Sequence, residues 1–228
     1  WFSGFTDMLK GWFLKESHII ENETSESASV AETDRAPAVD PDSPEGVAAR
    51  LLRSARQKFF VNFAVIEAID ELRQAFELHP DNADILFLLC FALNTLAEST
   101  EIKRLIEQST GMAESEDEKG RSKYELSRQV FLLRDYEEGR KLSVRLQQLY
   151  PDEYDFEFAH FFCLETLGNY PEAIRVGESL TRKAPGNNIV AVAQSECYFS
   201  IMDFEHAIEV LRRRIDKHPD FHNLRLKV

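Results

Sequence analysis

Prolines recur at a fixed interval in the C-terminal half of the chain, and this period restricts the possible folds more than any other feature. Pro151, Pro185 and Pro219 follow one another at a period of 34 in the residue numbering. The stretches before them keep the same order of apolar and small residues, while their charged residues change. A repeat that keeps its apolar and small residues but changes its charged residues indicates repeated packing rather than a repeated catalytic site.

Four further columns of residues share this period. They are an aromatic column (Tyr136, Tyr170, Phe204), a small-residue column (Gly139, Ala173, Ala207) and two apolar columns (Val130, Leu164, Tyr198 and Leu133, Leu167, Ile201). Apolar residues within each copy recur at spacings of three and four, which predicts two amphipathic helices per copy. The proline ends the second helix because it cannot continue one.

The combination of aromatic residue, small residue and helix-ending proline at this period resembles the tetratricopeptide repeat. The stretch "LGNYPEAI", residues 167–174, is similar to that family's turn between the two helices of a repeat. The resemblance is specific over residues 120–221 and weaker before them. It implies an all-α fold, a solenoid of helix-turn-helix repeats, and peptide binding along the first helices of the repeats.

Two more copies precede the regular ones. Residues 49–60 and 68–82 read as one helix pair, and a divergent pair follows it. The interval from Pro80 to Pro151 exceeds two periods by three residues. We expect the extra residues in the polar loop 110–119. The sequence therefore predicts about five helix pairs.

The last pair differs from the others in one column. Arg214 stands where the earlier copies have Leu146 and Leu180. Each pair of a solenoid buries its faces only against its neighbours, so an end pair can carry a polar residue there. Arg214 thus predicts that nothing stacks beyond the fifth pair.

Four segments are predicted along the chain. Residues 45–221 form the superhelical repeat domain, and residues 222–228 form a C-terminal tail. Residues 17–44 are acidic, rich in Ser and Thr and poor in apolar side chains, which predicts a flexible linker. Residues 1–16 are predicted to form a short amphipathic docking segment.

The docking segment carries large apolar residues at spacings of three and four, on one face of a predicted helix. They are Trp1, Phe5, Met8, Leu9, Trp12 and Phe13. Such a face needs a partner: the groove of its own or another copy, a separate protein, or a membrane interface. Only Lys10 and Lys15 against Asp7 give the segment positive charge, which is little for a lipid surface.

Composition narrows the function classes. The net charge of −13 argues against nucleic acid as a partner, because phosphate binding needs clustered Lys and Arg. Cys90, Cys163 and Cys197 lie in apolar runs, which predicts free thiols in a reducing compartment such as the cytoplasm. The sequence motifs of nucleotide, acyl-transfer and zinc sites are missing, so we expect neither enzyme activity, cofactor nor metal.

The family resemblance places a partner-binding groove along the inner wall of the first helices. The predicted groove residues are Phe60, Phe87, Phe91, Tyr124, Arg128, Phe131, Phe158, Phe162, Glu165 and Phe199. Several of these rings could instead pack between repeats. The predicted function is a protein-interaction scaffold or adaptor that binds an apolar or helical segment of a partner protein. The alternative is an assembly factor held at a lipid surface by residues 1–16.

Overall fold

The computed structural model of the protein describes residues 40–217, and for residues 216 and 217 it describes the backbone alone. The docking segment, the tail and most of the linker therefore lie outside the described residues. The described part contains helices and no strand. The helices are α1 Pro44–Arg56, α2 Val65–Leu78, α3 Ala83–Thr95, α4 Ser99–Gln108, α5 Glu118–Ser127, α6 Tyr136–Leu149, α7 Tyr154–Thr166, α8 Tyr170–Lys183, α9 Asn188–Ser200 and α10 Phe204–Lys217. They form five consecutive pairs, which confirms the predicted all-α repeat fold.

Each pair turns between its two helices at a residue in the left-handed conformation. These residues are Phe63, Ala97, Arg134, Gly168 and Met202, with φ between 55° and 76°. They follow one another at the period of the prolines, except that the step from Ala97 to Arg134 is three residues longer. The column confirms the register of all five copies and the three extra residues between the second and third. A short 3₁₀ helix, Thr110–Glu114, lies in this interval before α5.

The first helices of the first and third pairs end in π-helical turns, which the sequence did not predict. Residues 57–61 continue α1, and residues 128–132 continue α5. The amide of Asn62 donates to the carbonyl oxygen of Gln57 at 3.2 Å, and the third pair repeats this i→i+5 bond. Single π-turns are often found where the packing around a helix differs from that of a regular α-helix.

Helix α1 begins five residues before the predicted start at residue 49. The Ser43 hydroxyl accepts a hydrogen bond from the amide of Gly46 at 3.1 Å. Pro44 follows as the first helical residue, where its missing N–H is no loss. Ser43 and Pro44 together define the beginning of the helix, and the longer helix places more of the chain within the first pair.

The small-residue column allows the close approach of helices that the repeat predicted. A Cβ atom added to Gly139 would lie 2.8 Å from Cγ2 of Val130 and 3.2 Å from Sγ of Cys163. Ala68 and Ala173 are fully buried at the equivalent places in the first and fourth pairs. Neighbouring helices approach closely at these positions because no larger side chain separates them.

The row of pairs curves until its beginning touches its end. The side-chain amide of Asn188, at the start of α9, donates to the carbonyl oxygen of Val61 at 2.6 Å. Phe63 packs on the apolar cluster that contains Val192 and Leu211 in the fifth pair. The first and fifth pairs are therefore in contact, and the inner side is not an open arc.

Arg214, the polar residue that replaces leucine in the last pair, is buried. Only 5% of Arg214 is accessible to solvent. Its guanidinium donates to the carbonyl oxygen of Pro185. Burial lowers the pKa of Arg214 from its ordinary value, and the hydrogen bond gives the buried group a partner.

Candidate functional site

The inner side is filled by an aromatic cluster whose centre is Phe91 of α3. The Phe91 ring centroid lies 4.7 Å from that of Phe158 and 5.2 Å from that of Phe162, both in α7. It lies 5.6 Å from Phe59 and 6.0 Å from Phe131, at the ends of the first and third pairs' first helices. Four pairs therefore share one cluster of rings, largely edge to face.

Phe60 adds a second set of contacts across the inner side. Its ring centroid lies 5.2 Å from Phe158 and 6.4 Å from Tyr154, both of α7. Phe87 meets Phe131 at 5.8 Å. Edge-to-face pairs of this kind contribute about 0.5–1.5 kcal/mol each beyond the burial of their area. The cluster is thus a core that joins distant pairs.

The structure shows that most of the predicted groove residues pack within the protein, which the sequence analysis had left open. Six of the eight aromatic residues are buried: Phe60, Phe87, Phe91, Tyr124, Phe131 and Phe158. Phe162 is half-buried at the edge of the cluster, and Phe199 is exposed. A partner could reach the buried rings only if α1 moved away. Partner binding by these residues stays a prediction.

The two charged members of the predicted groove have different surroundings. Arg128 is partly exposed and donates to the Glu125 carboxylate three residues earlier, with two N···O distances of 2.9 Å. Glu165 is half-buried. Loss of hydration raises its pKa to about 8, and the nearby charge of Glu196 adds to this rise. Glu165 is the one predicted groove residue that titrates near neutral pH.

A buried network of charges lies beside the aromatic cluster, and the sequence analysis did not find it. Arg56, at the end of α1, donates to both oxygens of Asp155 in α7, at 2.9 and 2.7 Å. The Lys123 ammonium also donates to Asp155, at 2.9 Å, and to Glu153, at 2.9 Å. Asp84, in the first turn of α3, accepts a further bond from Lys123.

The partners of Asp155 and Lys123 favour the ionised form of both side chains. Burial alone would raise the pKa of Asp155, but the charges of Arg56 and Lys123 outweigh it and keep the pKa well below its ordinary value. Burial alone would lower the pKa of Lys123, yet the carboxylates around it raise the pKa. A network with every charge paired specifies how the first four pairs meet.

The described residues include the side-chain types from which two kinds of reactive site, metal centres and thiol nucleophiles, are built. They contain no group of three or more His, Cys, Asp or Glu residues that could hold a metal ion. Cys90, Cys163 and Cys197 are free and buried, and burial raises the pKa of each thiol. A thiol with a raised pKa is a poor nucleophile at neutral pH. The expectation that the chain is not an enzyme stays a prediction.

The largest group of exposed apolar side chains lies at the turn of the fifth pair. We call Phe199, Ile201, Met202 and Phe204 the apolar rim. Their exposed fractions are 64%, 43%, 79% and 50%. The rings of Phe199 and Phe204 pack edge to face with centroids 5.2 Å apart. The rim therefore offers a preformed aromatic pair to whatever touches it.

The charged groups next to the apolar rim are Asp203, Glu205 and His206. The Nδ1 atom of His206 lies 2.8 Å from both carboxylate oxygens of Asp203, and this contact raises the pKa of His206, so Asp203 already has a partner. Residues 184–211, which include all of α9 and the first half of α10, contain four acidic residues and no Lys or Arg. Sequence reasoning missed the rim as a unit, because it had placed only Phe199 on a binding surface. The signal was four large apolar residues within six positions.

A second surface feature is an open depression between α2 and α4. The Arg73 guanidinium crosses it to Glu101, with N···O distances of 2.9 and 2.6 Å. Glu77, Glu98 and Arg104 add exposed charges around it. The protein's own ion pair already bridges the depression, so it is a weaker docking surface than the rim.

None of the helices in residues 40–217 is both long and apolar enough to cross a membrane. The predicted N-terminal docking residues lie outside the described residues, so their docking stays a prediction.

No protein-family model matches the chain, and no curated protein sequence does. Among solved structures, the tetratricopeptide-repeat protein TTC0263 of Thermus thermophilus aligns with 79% of this chain and 96% of its own, at 15% identity and a TM-score of 0.56. The human IFIT1 dimer solved with m7Gppp-AAAA aligns with 76% of this chain, at 19% identity and a TM-score of 0.54. The chain spans 42% of the length of IFIT1. At such identities the similarity concerns the fold alone. The described residues have the fold of the tetratricopeptide-repeat proteins, as five helix pairs whose first and last members touch.

Proposed function

We propose that the chain is a protein-interaction scaffold that binds an apolar, helical segment of a partner protein at the apolar rim. The observation that carries the proposal is the exposure of Phe199, Ile201, Met202 and Phe204 at and just after the end of α9, whose earlier residues are largely buried. Rings give a large contact area at a small cost in rotamer entropy, as interface anchors require. We propose the rim as the binding surface instead of the inner wall, because the rings of the inner wall already contact one another.

The exposed carboxylate of Glu205 favours a partner segment with basic flanks, and the stretch around it lacks Lys and Arg. Asp203 contributes less, because the Nδ1 atom of His206 lies 2.8 Å from its carboxylate oxygens. An apolar helix that carries Lys or Arg beside its apolar face fits both properties. The overall charge of −13 agrees with this preference and disfavours nucleic acid.

A selection of helical peptides tests the proposal. A displayed library is selected on the full chain with Trp1→Ser and Trp12→Ser, so that its own N-terminal segment cannot compete. We expect the selected peptides to share apolar residues at spacings of three and four, with Lys or Arg beside them. Each selected peptide is then titrated against the same chain carrying Phe199→Ser and Met202→Ser.

The matched control is Leu149→Ser, because Leu149 is as exposed as Phe199, at 64%. The rim substitutions should weaken binding at least tenfold, since truncation of interface hot spots costs about 2 kcal/mol or more. The control should leave binding unchanged. If no peptide distinguishes the rim variant from the control, the rim is not a docking surface and the proposal fails.

Two of the sequence-based alternatives also have direct tests. An assembly factor held at a lipid surface would depend on residues 1–16, and co-sedimentation with vesicles of the full chain against Trp1→Ser, Trp12→Ser measures that contact. Binding at the inner wall would require α1 to leave Asp155 and Phe158. A peptide that binds there would lose affinity on Phe162→Ala but not on the rim substitutions.

A further inference from the structure

We propose that the N-terminal segment of this same chain, residues 1–13, covers the apolar rim when no partner is bound. The proposal rests on the rim being a docking surface, as in the proposed function, and names its resident occupant. It follows from two properties: the apolar chemistry of the segment and the rim, and the length of chain between them.

The segment has the chemistry that the rim requires. Six large apolar residues recur in it at helical spacing, and residues 1–13 carry one base, Lys10, and one acid, Asp7, so the segment brings no net charge to the rim. The rim is also the place where the described residues present four large apolar side chains within six positions. Apolar contact therefore favours the pairing, and no excess of like charge on the segment opposes it.

The connecting chain is long enough to bring the two together. Between Phe13 and Asp40, where the described residues begin, there are 26 residues. Fully extended they span roughly 85 Å. A compact domain of this size has a diameter of about 40 Å. The segment can therefore reach any part of the surface of its own domain.

The tether makes even a weak contact effective. A flexible linker of this kind holds its end at an effective concentration of about 1 mM, so a Kd near 100 µM would keep roughly nine segments in ten docked. A partner segment must then displace the chain's own segment. Covering by residues 1–13 thus sets a threshold on partner binding and keeps the rings of the rim from contact with water.

Tryptophan fluorescence tests the inference without any partner. Trp1 and Trp12 are the two tryptophans of the whole sequence, so the emission of the full chain reports on the N-terminal segment alone. We expect the unmodified chain to emit at shorter wavelength than free tryptophan and to resist quenching by iodide. Phe199→Ser with Met202→Ser should move the emission to that of exposed tryptophan and increase quenching several-fold.

The control is again Leu149→Ser, which should leave emission and quenching as in the unmodified chain. Circular dichroism verifies that each variant keeps its helices. The inference is overturned if the unmodified chain already emits like free tryptophan, or if the rim substitutions change nothing. Emission that depends on protein concentration would assign the contact to a second copy, and a shift seen only with added vesicles would assign it to lipid; either result also overturns it.

Failure of this inference and failure of the proposed function give different results. The peptide selection uses a chain whose own segment lacks both tryptophans, so it succeeds or fails regardless of self-docking. If the fluorescence test fails while selected peptides bind the rim, the rim serves partners but not residues 1–13. If no peptide binds while the tryptophans are protected by the rim, the rim serves the chain's own segment alone.

Discussion

Phe60 in the first pair and Phe199 in the fifth occupy the same column of the repeat but have opposite environments. Each lies three residues before the left-handed residue of its pair, Phe63 or Met202. Phe60 is 7% exposed and Phe199 is 64% exposed. A column of the repeat thus determines where a side chain sits in its own pair. Its burial depends on what the curvature of the whole row brings against it.

The ends of the two helices differ as well. Phe60 lies in the π-turn 57–61, and Phe131, at the equivalent place in the third pair, lies in the π-turn 128–132. Both rings are buried in the aromatic cluster. Helix α9 stays α-helical to its end, and Phe199 remains outside. In this column, the rings that lie in π-turns are the ones that reach the interior.

Truncating the two phenylalanines should separate them most clearly. Phe60→Ala should lower the free energy of unfolding by about 3–5 kcal/mol, the usual cost of removing a buried ring. In the chain with Trp1→Ser and Trp12→Ser, whose N-terminal segment should not cover the rim, Phe199→Ala should change it by less than about 0.5 kcal/mol, as is usual for exposed positions. Urea unfolding followed by circular dichroism measures both. Equal effects would mean that the first pair does not close over the inner side in solution.

The contact of α1 with the fourth pair can also be broken through its charges. Asp155→Asn leaves Arg56 and Lys123 buried without their shared carboxylate, and should cost about 3 kcal/mol. The partners lower the pKa of Asp155 in the folded state, so its contribution is present above the unfolded pKa and is lost as pH falls through the folded pKa. Stability of the variant should therefore decline less steeply in acid.

Glu107→Gln is the control for this substitution. Glu107 pairs with Lys103 one helical turn away at 3.8 Å, and both side chains are exposed. Exposed pairs of this type contribute little, so the variant should unfold like the unmodified chain at every pH. If Asp155→Asn behaves like Glu107→Gln, the charge network does not hold α1 in place.

The sequence predicted those parts of the fold that recur with each helix pair. Five pairs, the three-residue insertion and the small column around Gly139 all depend on contacts between neighbouring elements, which leave a regular trace. The contacts that close the row have no such trace. Arg56 and Asp155 are 99 residues apart, and Val61 and Asn188 are 127 apart. A pattern that repeats once per helix pair describes neighbours and does not describe partners several copies away.

The same limit applies to the predicted groove and to Arg214. The apolar pattern indicated which face of the first helices is apolar, and Phe91 and Phe158 lie on the inner side. It did not indicate that the inner side is closed. The sequence identified Arg214 as a polar residue in a leucine column, but not that its long side chain reaches the carbonyl oxygen of Pro185 from a buried position.

The stability of the fold should depend on pH through Glu165 on the inner side. Its pKa is raised to about 8, first by burial and then by the charge of Glu196, so the folded state binds a proton that the unfolded state has released. Stability should therefore fall as pH rises from the ordinary value of a glutamate to about 8. Glu165→Gln stays neutral, and should be about 1–2 kcal/mol more stable than the unmodified chain above pH 8.

Urea unfolding across this pH range measures the effect of Glu165→Gln, and Glu67→Gln on the exposed face of α2 is the control. The control should follow the unmodified chain at every pH. Parallel curves for the Glu165 variant and the unmodified chain would show that Glu165 is ionised in the folded protein and hydrated like an exposed carboxylate.

The smallest expected effects concern the turns that end the first helices. Gly168 serves the fourth pair with φ of 76°, whereas Met202 holds a φ of 63° in the fifth, a conformation that costs a residue with a side chain about 1 kcal/mol or more. Met202→Gly removes this backbone strain but makes the unfolded chain more flexible, so it should raise the free energy of unfolding by about 0.5 kcal/mol. Gly168→Ala introduces the strain and should lower the free energy of unfolding by about 1 kcal/mol. Thermal unfolding measures both changes.

If Met202→Gly instead lowers stability, the Met202 side chain makes a favourable contact at the rim that outweighs its backbone strain. That contact should then disappear in the chain with Trp1→Ser and Trp12→Ser, where the same substitution should be stabilising.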